Sequence, residues 1–268
     1  MQRICCLPIL GTPRLEQPLS RISPWLDMVT RTRDDVVADL DAQRHRRFIK
    51  THTPLDGMPF DPRVTYICVA RDPRDIAVSW DNHMANADME ALLRSRATSV
   101  GNGDIAELLA QDAPAQPASE RERFWFWVDS AEPPERDPHS LLGVMDHPTA
   151  FWAVKDAPNV ILLHYADLKA DLETQMRALA RRLSIDIAET SWAELVPAAS
   201  FEQMRRDADT LAPNVSESIW RDNTRFFHHG DGGRWRALFE AGDDARYAAR
   251  VNEVAAPDVA AWAHHGAI

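Results

Sequence analysis

The most constraining feature of this chain is a segment in which two short apolar stretches each end in charged or polar residues. Residues 48–79 read FIKTHTPLDGMPFDPRVTYICVARDPRDIAVS. The first stretch ends in Lys50-Thr51-His52, and the second, Val64–Ala70, is followed by Arg71 and by an amphipathic helix that carries Ser79. In open α/β sheets, ligands bind outside the carboxyl ends of the strands. This order of residues therefore predicts an anion site with a proton acceptor beside it.

Length and net charge restrict the class of protein. The chain has 268 residues, of which 45% are hydrophobic, and this is enough for one α/β domain with a real core. The formal net charge of −11 argues against a general nucleic-acid binder, which needs an excess of Lys and Arg. It leaves room for a local basic site that takes one anionic nucleotide. We predict a single domain over residues 1–268, with no nucleic-acid partner.

Cysteine usage and hydropathy favour the cytoplasm. Cys5, Cys6 and Cys68 show neither metal-ligand spacing nor a disulfide framework, which fits a reducing compartment. The apolar runs are far shorter than the roughly 18 residues that indicate a membrane-spanning helix. The N-terminus has no basic region followed by a long apolar run, so no signal peptide is predicted. We expect a cytoplasmic protein with no membrane partner.

The hydrophobic pattern predicts strands that alternate with helices. The predicted strands are Arg47–Lys50, Val64–Ala70 and Val160–His164. The predicted helices are 33–43, Asp72–Ala87, Leu168–Leu183, one over the aromatic run 124–127, and an N-terminal helix broken by Pro8. Proline-rich surface loops are predicted at 112–120 and 130–140. This alternation predicts right-handed crossovers and a parallel sheet covered by helices.

Four segments in chain order resemble the sulfotransferases that use 3′-phosphoadenosine 5′-phosphosulfate as donor. That family has a K-T-H-x-P strand end, then a strand that ends in Arg and a D-x-A-V-S helix start, as residues 48–79 do here. The similarity recurs in VILLHYADLKADL at 160–172, SFEQM at 200–204 and FFHHGDGGRW at 226–235. The resemblance implies a three-layer α/β fold with a central parallel sheet. It also implies sulfuryl transfer to a hydroxyl or amine of a small-molecule acceptor.

The resemblance places the catalytic pair in the K-T-H motif. His52 would remove the proton of the acceptor hydroxyl, since histidine titrates near the operating pH. Lys50 would stabilise charge on the transferring sulfuryl group. The alternatives are an ordinary histidine at a strand end and a solvated lysine.

The resemblance also implies which residues bind the nucleotide. Arg71 and Ser79 would hold the 3′-phosphate, because a guanidinium can grip phosphate oxygens with two hydrogen bonds and the hydroxyl adds a third. The residues that would contact the adenine part are Tyr165, Ser200, Phe201 and Met204, with the Phe201 ring stacked on the base. Each assignment has an alternative that involves no ligand. Arg71 could instead form a salt bridge with Asp72 or Asp75, and Tyr165 could be an ordinary core residue. Arg74 is expected at the surface.

His228, His229 and Gly230 stand where the family has a second phosphate-binding stretch, usually R-K-G. Histidines are weaker cations than Arg and Lys at neutral pH. This departure predicts that nucleotide binding tightens below about pH 6.5, the reference pKa of histidine. Adjacent histidines are poorly placed to chelate a metal, and no metal is implied.

The family's phosphate-binding loop, approximately P-K-S-G-T-T-W, has no counterpart in the sequence. Met1–Ile4 looks like the helix that follows this loop, so the resemblance implies that the first strand and the loop are missing. A gene model that starts too far downstream and a shortened protein would both explain this. A shortened protein suggests the alternative function, an inactive adenosine-bisphosphate-binding or interaction protein of the same fold. The sequence leaves the acceptor and the oligomeric state open.

Overall fold

The computed structural model describes residues 1–101, 117–213 and 215–266. The strands are β1 (Tyr66–Ala70) and β2 (Val160–His164). The α-helices, in chain order, are α1 (Gln2–Leu10), α2 (Leu19–Ile22), α3 (Arg33–Ala42), α4 (Pro73–Asn86), α5 (Met89–Val100), α6 (Glu120–Asp129), α7 (Leu141–Trp152), α8 (Tyr165–Ala170), α9 (Leu172–Arg182), α10 (Trp192–Ala198), α11 (Phe201–Arg206), α12 (Ala208–Leu211), α13 (Asn223–Phe226), α14 (Asp243–Val254) and α15 (Pro257–His265). Short 3-10 helices cover Leu55–Gly57, Glu189–Ser191, Val215–Glu217 and Arg234–Leu238.

The sheet of the described residues consists of two parallel strands. β1 and β2 pair in register from Tyr66 opposite Val160 to Ala70 opposite His164. Helices α4, α5, α6 and α7 lie between the two strands in the chain, and a parallel connection requires such a crossover. The predicted parallel sheet with flanking helices is confirmed, although the sheet is small.

The described residues form two compact units. The first lies within Met1–His52, His83–Pro114 and Leu172–Gly230, and the second within Thr53–Asn82, Ala115–Asp171 and Asp231–Ile268. The single domain predicted over residues 1–268 stays a prediction.

Each unit has its own apolar packing. In the first unit, Cys6, Leu19, Ile22 and Leu211 are buried together. In the second unit, the larger of two clusters joins aromatic side chains of α6 to α14, α15 and the 3-10 helix that contains Trp235. The second cluster packs Cys68 and Ala70 of β1 against Phe151 and Trp262. The strands are therefore held by helices of the unit to which they belong.

Local signals in the sequence explain several helix starts. Thr32 caps α3, where its hydroxyl accepts a hydrogen bond from the Asp35 N–H at 3.1 Å. Ser119 and Glu122 form a capping box at the start of α6. The aromatic run 124–127 lies in α6 as predicted, with Phe126 exposed and the other three rings buried. The helix predicted over 33–43 is confirmed as well.

Some local predictions are wrong. Arg47–Lys50 is not a strand, because only Lys50 makes a bridge, a parallel one to Trp25. Leu168–Leu183 is interrupted at Asp171, whose φ of −149° and ψ of 83° end α8 before α9 begins. Pro8 does not break α1, which continues to Leu10 with the proline buried inside it.

The strand predicted over Val64–Ala70 begins only at Tyr66. It is also not continuously buried, since Val69 is 37% exposed. Of the loop predicted at 112–120, residues 112–116 lie outside the described residues. Within the described part of the chain, no helix has the length and apolar character needed to cross a membrane.

Candidate active site

Arg71 and Tyr165 occupy equivalent positions at the carboxyl ends of the two strands. Each follows one member of the last strand pair, Ala70 and His164. The guanidinium carbon of Arg71 lies 4.6 Å from the centroid of the Tyr165 ring, within the range of a cation–π contact. The parallel register therefore places a cation and an aromatic face together at one edge of the sheet.

The Nε–H of Arg71 is a buried donor that has no hydrogen-bond acceptor among the described atoms. Most buried polar groups in proteins are paired, because a buried unpaired donor costs about 1–3 kcal/mol. An anionic oxygen of a ligand would satisfy this donor.

The neighbouring acid Asp72 is paired with Arg74. The Arg74 guanidinium donates from Nε to Oδ1 of Asp72 at 2.9 Å and from Nη2 to Oδ2 at 2.8 Å. Its carbon also lies 3.8 Å from the ring centroid of the buried Trp235. Arg74 is thus a packed residue of the second unit, and the prediction that it lies at the surface is wrong. Because Asp72 already pairs with Arg74, the alternative in which Arg71 is the salt-bridge partner of Asp72 is less favoured.

Asp75 and Ser79 lie one turn apart on α4. Ser79 is exposed. Asp75 is half-buried, and its Oδ1 accepts a hydrogen bond from the N–H of Gly233 at 2.7 Å. Burial raises the pKa of Asp75, opposed by the Gly233 hydrogen bond and by the positive charge of Arg71.

In the first unit, Lys50 and His52 both contact Trp25. The Lys50 N–H donates to the carbonyl of Pro24 at 3.0 Å, which fixes a parallel bridge between Lys50 and Trp25. The Nζ of Lys50 lies 3.4 Å from the Trp25 ring centroid, and the His52 ring centroid lies 4.4 Å from it. Residues two apart in an extended segment project to the same side. The motif therefore presents its lysine and its histidine to one indole.

Asp27 holds the backbone of the same motif. Its Oδ2 accepts hydrogen bonds from the His52 N–H at 2.8 Å and from the Thr51 hydroxyl at 3.0 Å. Burial lowers the pKa of Lys50 to about 8, and the negative charge of Asp27 opposes this shift. Lys50 is therefore a cation at neutral pH that loses its charge in mildly alkaline solution. The sequence reasoning did not single out Asp27, because nothing in its local sequence signals a contact with residues so far along the chain.

Phe201 and Gly230 are in close contact in the first unit. A Cβ atom placed on Gly230 would lie 2.9 Å from Cγ of Phe201, so the ring would have to move to admit a larger residue. Ser200 caps α11, and its hydroxyl accepts a hydrogen bond from the Gln203 N–H at 3.2 Å. Met204 packs against the buried cluster of the first unit. The adenine contacts predicted for Tyr165, Ser200, Phe201 and Met204 stay predictions.

His228 and His229 are neighbours in space as well as in sequence. Their ring centroids are 4.2 Å apart, with an interplanar angle of 64°. His228 is half-buried and His229 is exposed. No group of three His, Cys, Asp or Glu side chains in the described residues is placed to hold a metal ion. The phosphate contacts predicted for this pair stay predictions.

The position of Arg71 and Tyr165 is typical of one class of protein. Parallel α/β proteins bind phosphorylated ligands at the carboxyl ends of their strands, which is where these two residues lie in the second unit. Residues 11–256 match the family described as the sulfotransferase domain. The chain belongs to this family and is a sulfotransferase, which confirms the resemblance.

Named relatives agree with the family. The chain is 39% identical over 273 residues to a glycolipid sulfotransferase of Mycobacterium bovis (strain BCG / Pasteur 1173P2), covering 99% of this chain and 84% of that protein. It is 39% identical over 272 residues to a glycolipid sulfotransferase of Mycobacterium tuberculosis (strain ATCC 25177 / H37Ra), covering 99% and 83%.

Solved structures support the fold. Retinol dehydratase in complex with androsterone and the inactive cofactor PAP superimposes with a TM-score of 0.66 at 18% identity, covering 96% of this chain and 78% of that one. Retinol dehydratase in a complex with retinol and PAP gives a TM-score of 0.65 at 19% identity, covering 94% and 76%. The predicted α/β fold is confirmed.

Proposed function

We propose that this sulfotransferase moves a sulfuryl group from 3′-phosphoadenosine 5′-phosphosulfate to a hydroxyl of a glycolipid. The donor is the cosubstrate of the family, and PAP, which accompanies the solved neighbours, is its desulfated form. The support for a glycolipid acceptor is the identity of 39% with two mycobacterial proteins whose names specify that acceptor.

The main support for a donor-binding site is the environment of the Arg71 guanidinium. Its guanidinium is held over Tyr165, and its Nε–H is buried without an acceptor among the described atoms. A phosphate oxygen would accept from this donor and gain a charge-assisted hydrogen bond. We assign Arg71 and Ser79 to the 3′-phosphate. The adenine contacts remain assigned, as the resemblance implies, to Tyr165, Ser200, Phe201 and Met204. The further phosphate contacts remain assigned to His228, His229 and Gly230.

The catalytic roles are proposed for the K-T-H motif. The acceptor oxygen attacks sulfur while the bond from sulfur to the bridging phosphate oxygen breaks, and the electron pair of that bond stays on the nucleotide. His52 receives the hydroxyl proton. Lys50, charged at neutral pH, stabilises the sulfuryl oxygens, since transfer of this kind depends on positioning and charge more than on covalent chemistry.

The first test is ligand binding measured by thermal shift with adenosine 3′,5′-bisphosphate. A ligand that binds only the folded protein raises its stability by RT ln(1 + [L]/Kd). Wild type is expected to shift and Arg71→Ala to lose most of the shift. Arg63→Ala is the control, because Arg63 is an exposed arginine of the same unit that pairs with Asp61. No shift of the wild type at millimolar ligand would contradict the donor assignment.

The second test is transfer of labelled sulfate to candidate acceptors. We expect a glycolipid to be sulfated with a higher kcat/KM than a short alcohol or the free sugar head group. Binding of the nucleotide without transfer to any hydroxyl or amine would instead support the inactive nucleotide-binding protein. Faster transfer to a lipid-free alcohol would overturn the glycolipid assignment and leave the donor assignment intact.

A further inference from the structure

Asp75 is an acid in a place where the proposed function needs cations. It follows Arg71 by four residues and precedes Ser79 by four. Residues four apart on a helix lie on the same face, so Asp75 and Ser79 share one face of α4. A carboxylate beside a phosphate site repels the ligand unless its charge is used for something else.

The structure supplies that other use. Oδ1 of Asp75 accepts the N–H of Gly233 at 2.7 Å. A Cβ atom on Gly232 would lie 2.5 Å from Oδ2 of the same carboxylate. Both oxygens of Asp75 therefore face the glycine pair, and the close approach requires that residue 232 has no side chain.

The glycine pair leads directly into a packed element. Gly233 has a φ of 87°, a left-handed conformation that favours glycine, and it precedes the 3-10 helix Arg234–Leu238. Trp235 of that helix is buried in the core of the second unit, under the guanidinium of Arg74. The hydrogen bond from Gly233 to Asp75 thus ties the entry of this element to the first turn of α4.

Charged groups of both signs surround the Asp75 carboxylate. Arg71 and Arg74 attract its carboxylate and Asp72 repels it, but Arg74 is bonded to Asp72 through two hydrogen bonds. On the glycine side, Arg236 lies beside Gly233, and Asp231 pairs with Lys169 at 2.7 Å. Arg71 is the cation that both Asp75 and a bound phosphate would attract.

We propose that Asp75 is a positioning residue for the nucleotide, which holds the Gly232–Gly233 backbone against the first turn of α4 so that Arg71 and Ser79 meet the 3′-phosphate in a fixed setting. This inference rests on the proposed function, because it needs the nucleotide to bind at Arg71 and Ser79. It assigns to an acid a role in binding an anion, through a backbone N–H and not through contact with the ligand.

The test compares two substitutions that separate the hydrogen bond from the charge. Asp75→Asn keeps a carbonyl oxygen that accepts the Gly233 N–H, whereas Asp75→Ala removes the acceptor. We expect the Kd for adenosine 3′,5′-bisphosphate to rise about tenfold in Asp75→Ala, because the Gly233 backbone then loses the hydrogen bond to a charged group that holds it in the arrangement that binds the ligand. We expect Asp75→Asn to bind as tightly as wild type or more tightly. In Asp75→Ala the donor KM should rise more than kcat falls.

Two further variants make the result specific. Asp81→Ala removes a half-buried acid of the same helix that holds Arg123 at 2.6 Å, and it should lower stability while leaving the Kd unchanged. Gly232→Ala forces a Cβ atom onto the Asp75 carboxylate and should weaken binding as Asp75→Ala does. The double variant should then be no weaker than either single one, because both break the same contact.

The outcomes distinguish this inference from the function on which it rests. If wild type does not bind the nucleotide, the proposed function fails. If wild type binds and Arg71→Ala does not, but Asp75→Ala keeps the wild-type Kd, only the role of Asp75 is overturned. Equal losses in Asp75→Ala and Asp75→Asn would also overturn it, since asparagine keeps the acceptor.

Discussion

The ammonium nitrogen of Lys50 lies 3.4 Å from the centroid of the Trp25 ring, and the two residues face each other across a parallel backbone bridge. The bridge fixes the distance between the two Cα atoms, and the indole face then fixes the ammonium group. The same ring contacts His52, so one tryptophan touches both residues proposed for catalysis. A contact of this kind is worth about 0.5–2 kcal/mol depending on burial.

The first prediction concerns the alkaline limb of the activity profile. Because burial lowers the pKa of Lys50 to about 8, its charge is present below that pH and is lost as the pH rises through it. We expect kcat to fall above about pH 8 in the wild type. Lys50→Arg should move this limb upward, since arginine keeps its charge well above pH 10. The measurement is kcat from pH 6 to 10 at saturating donor.

Two controls accompany the Lys50 measurement. Lys50→Met should lower kcat below about pH 8, where the wild-type lysine is charged, and show no limb near pH 8. Lys155→Met should retain the wild-type profile, because Lys155 pairs with Asp156 in the other unit. An unchanged alkaline limb in Lys50→Arg would show that another group titrates there.

The second prediction concerns Trp25. Trp25→Leu removes the aromatic face while keeping an apolar side chain, and we expect kcat to fall by roughly two- to thirtyfold, the range of a cation–π contact. Trp25→Phe keeps a ring and should recover most of the activity. The unfolding free energy of each variant separates a catalytic loss from a loss of fold. Equal activity of the leucine and phenylalanine variants would contradict the role of the ring.

The sequence predicted the elements that depend on a local pattern. The apolar run of β2 and the stripe on α4 are visible in short windows, and the pairing of two parallel strands follows from the helices between them. Leu168–Leu183 shows the limit of this approach. The apolar stripe continues in register through Leu172 and Met176, so periodicity does not detect the backbone break at Asp171.

The candidate site likewise contains residues that a local sequence pattern predicts and residues that it does not. Lys50, His52 and Arg71 stand at the ends of apolar stretches, where the sequence singles them out. Trp25 and Asp27 contact that motif from more than twenty residues earlier, through one bridge and two side-chain hydrogen bonds. No local pattern reports such a contact, because it depends on how the intervening helix α3 returns the chain.

The third prediction concerns the contact between Gly230 and Phe201. Gly230→Ala introduces a Cβ atom 2.9 Å from Cγ of the ring, so the ring must move. If Phe201 stacks on adenine as proposed, we expect Gly230→Ala to weaken binding of adenosine bisphosphate. Phe201→Ala should cost about 1–3 kcal/mol, the usual value of a stacked base. The measurement is Kd by calorimetry.

The double variant tests the mechanism of this effect. Without the ring there is nothing for the added methyl group to displace, so Gly230→Ala should cause no further loss in the Phe201→Ala background. Phe60→Ala, which removes an exposed ring of the other unit, is the control and should bind like wild type. Full additivity of the two losses would show that Gly230 acts independently of Phe201.

The fourth prediction concerns His228 and His229, which replace the stronger cations usual in the family. If the pair contacts phosphate as proposed, His228→Gln/His229→Gln should weaken the binding of adenosine bisphosphate, and an arginine pair at these positions should bind it more tightly than wild type, because a guanidinium grips phosphate oxygens with charge-assisted hydrogen bonds. The measurement is Kd by calorimetry. His265→Gln is the control, because His265 is exposed and lies in α15. An unchanged Kd in His228→Gln/His229→Gln would remove both histidines from the phosphate site and leave the 3′-phosphate to Arg71 and Ser79.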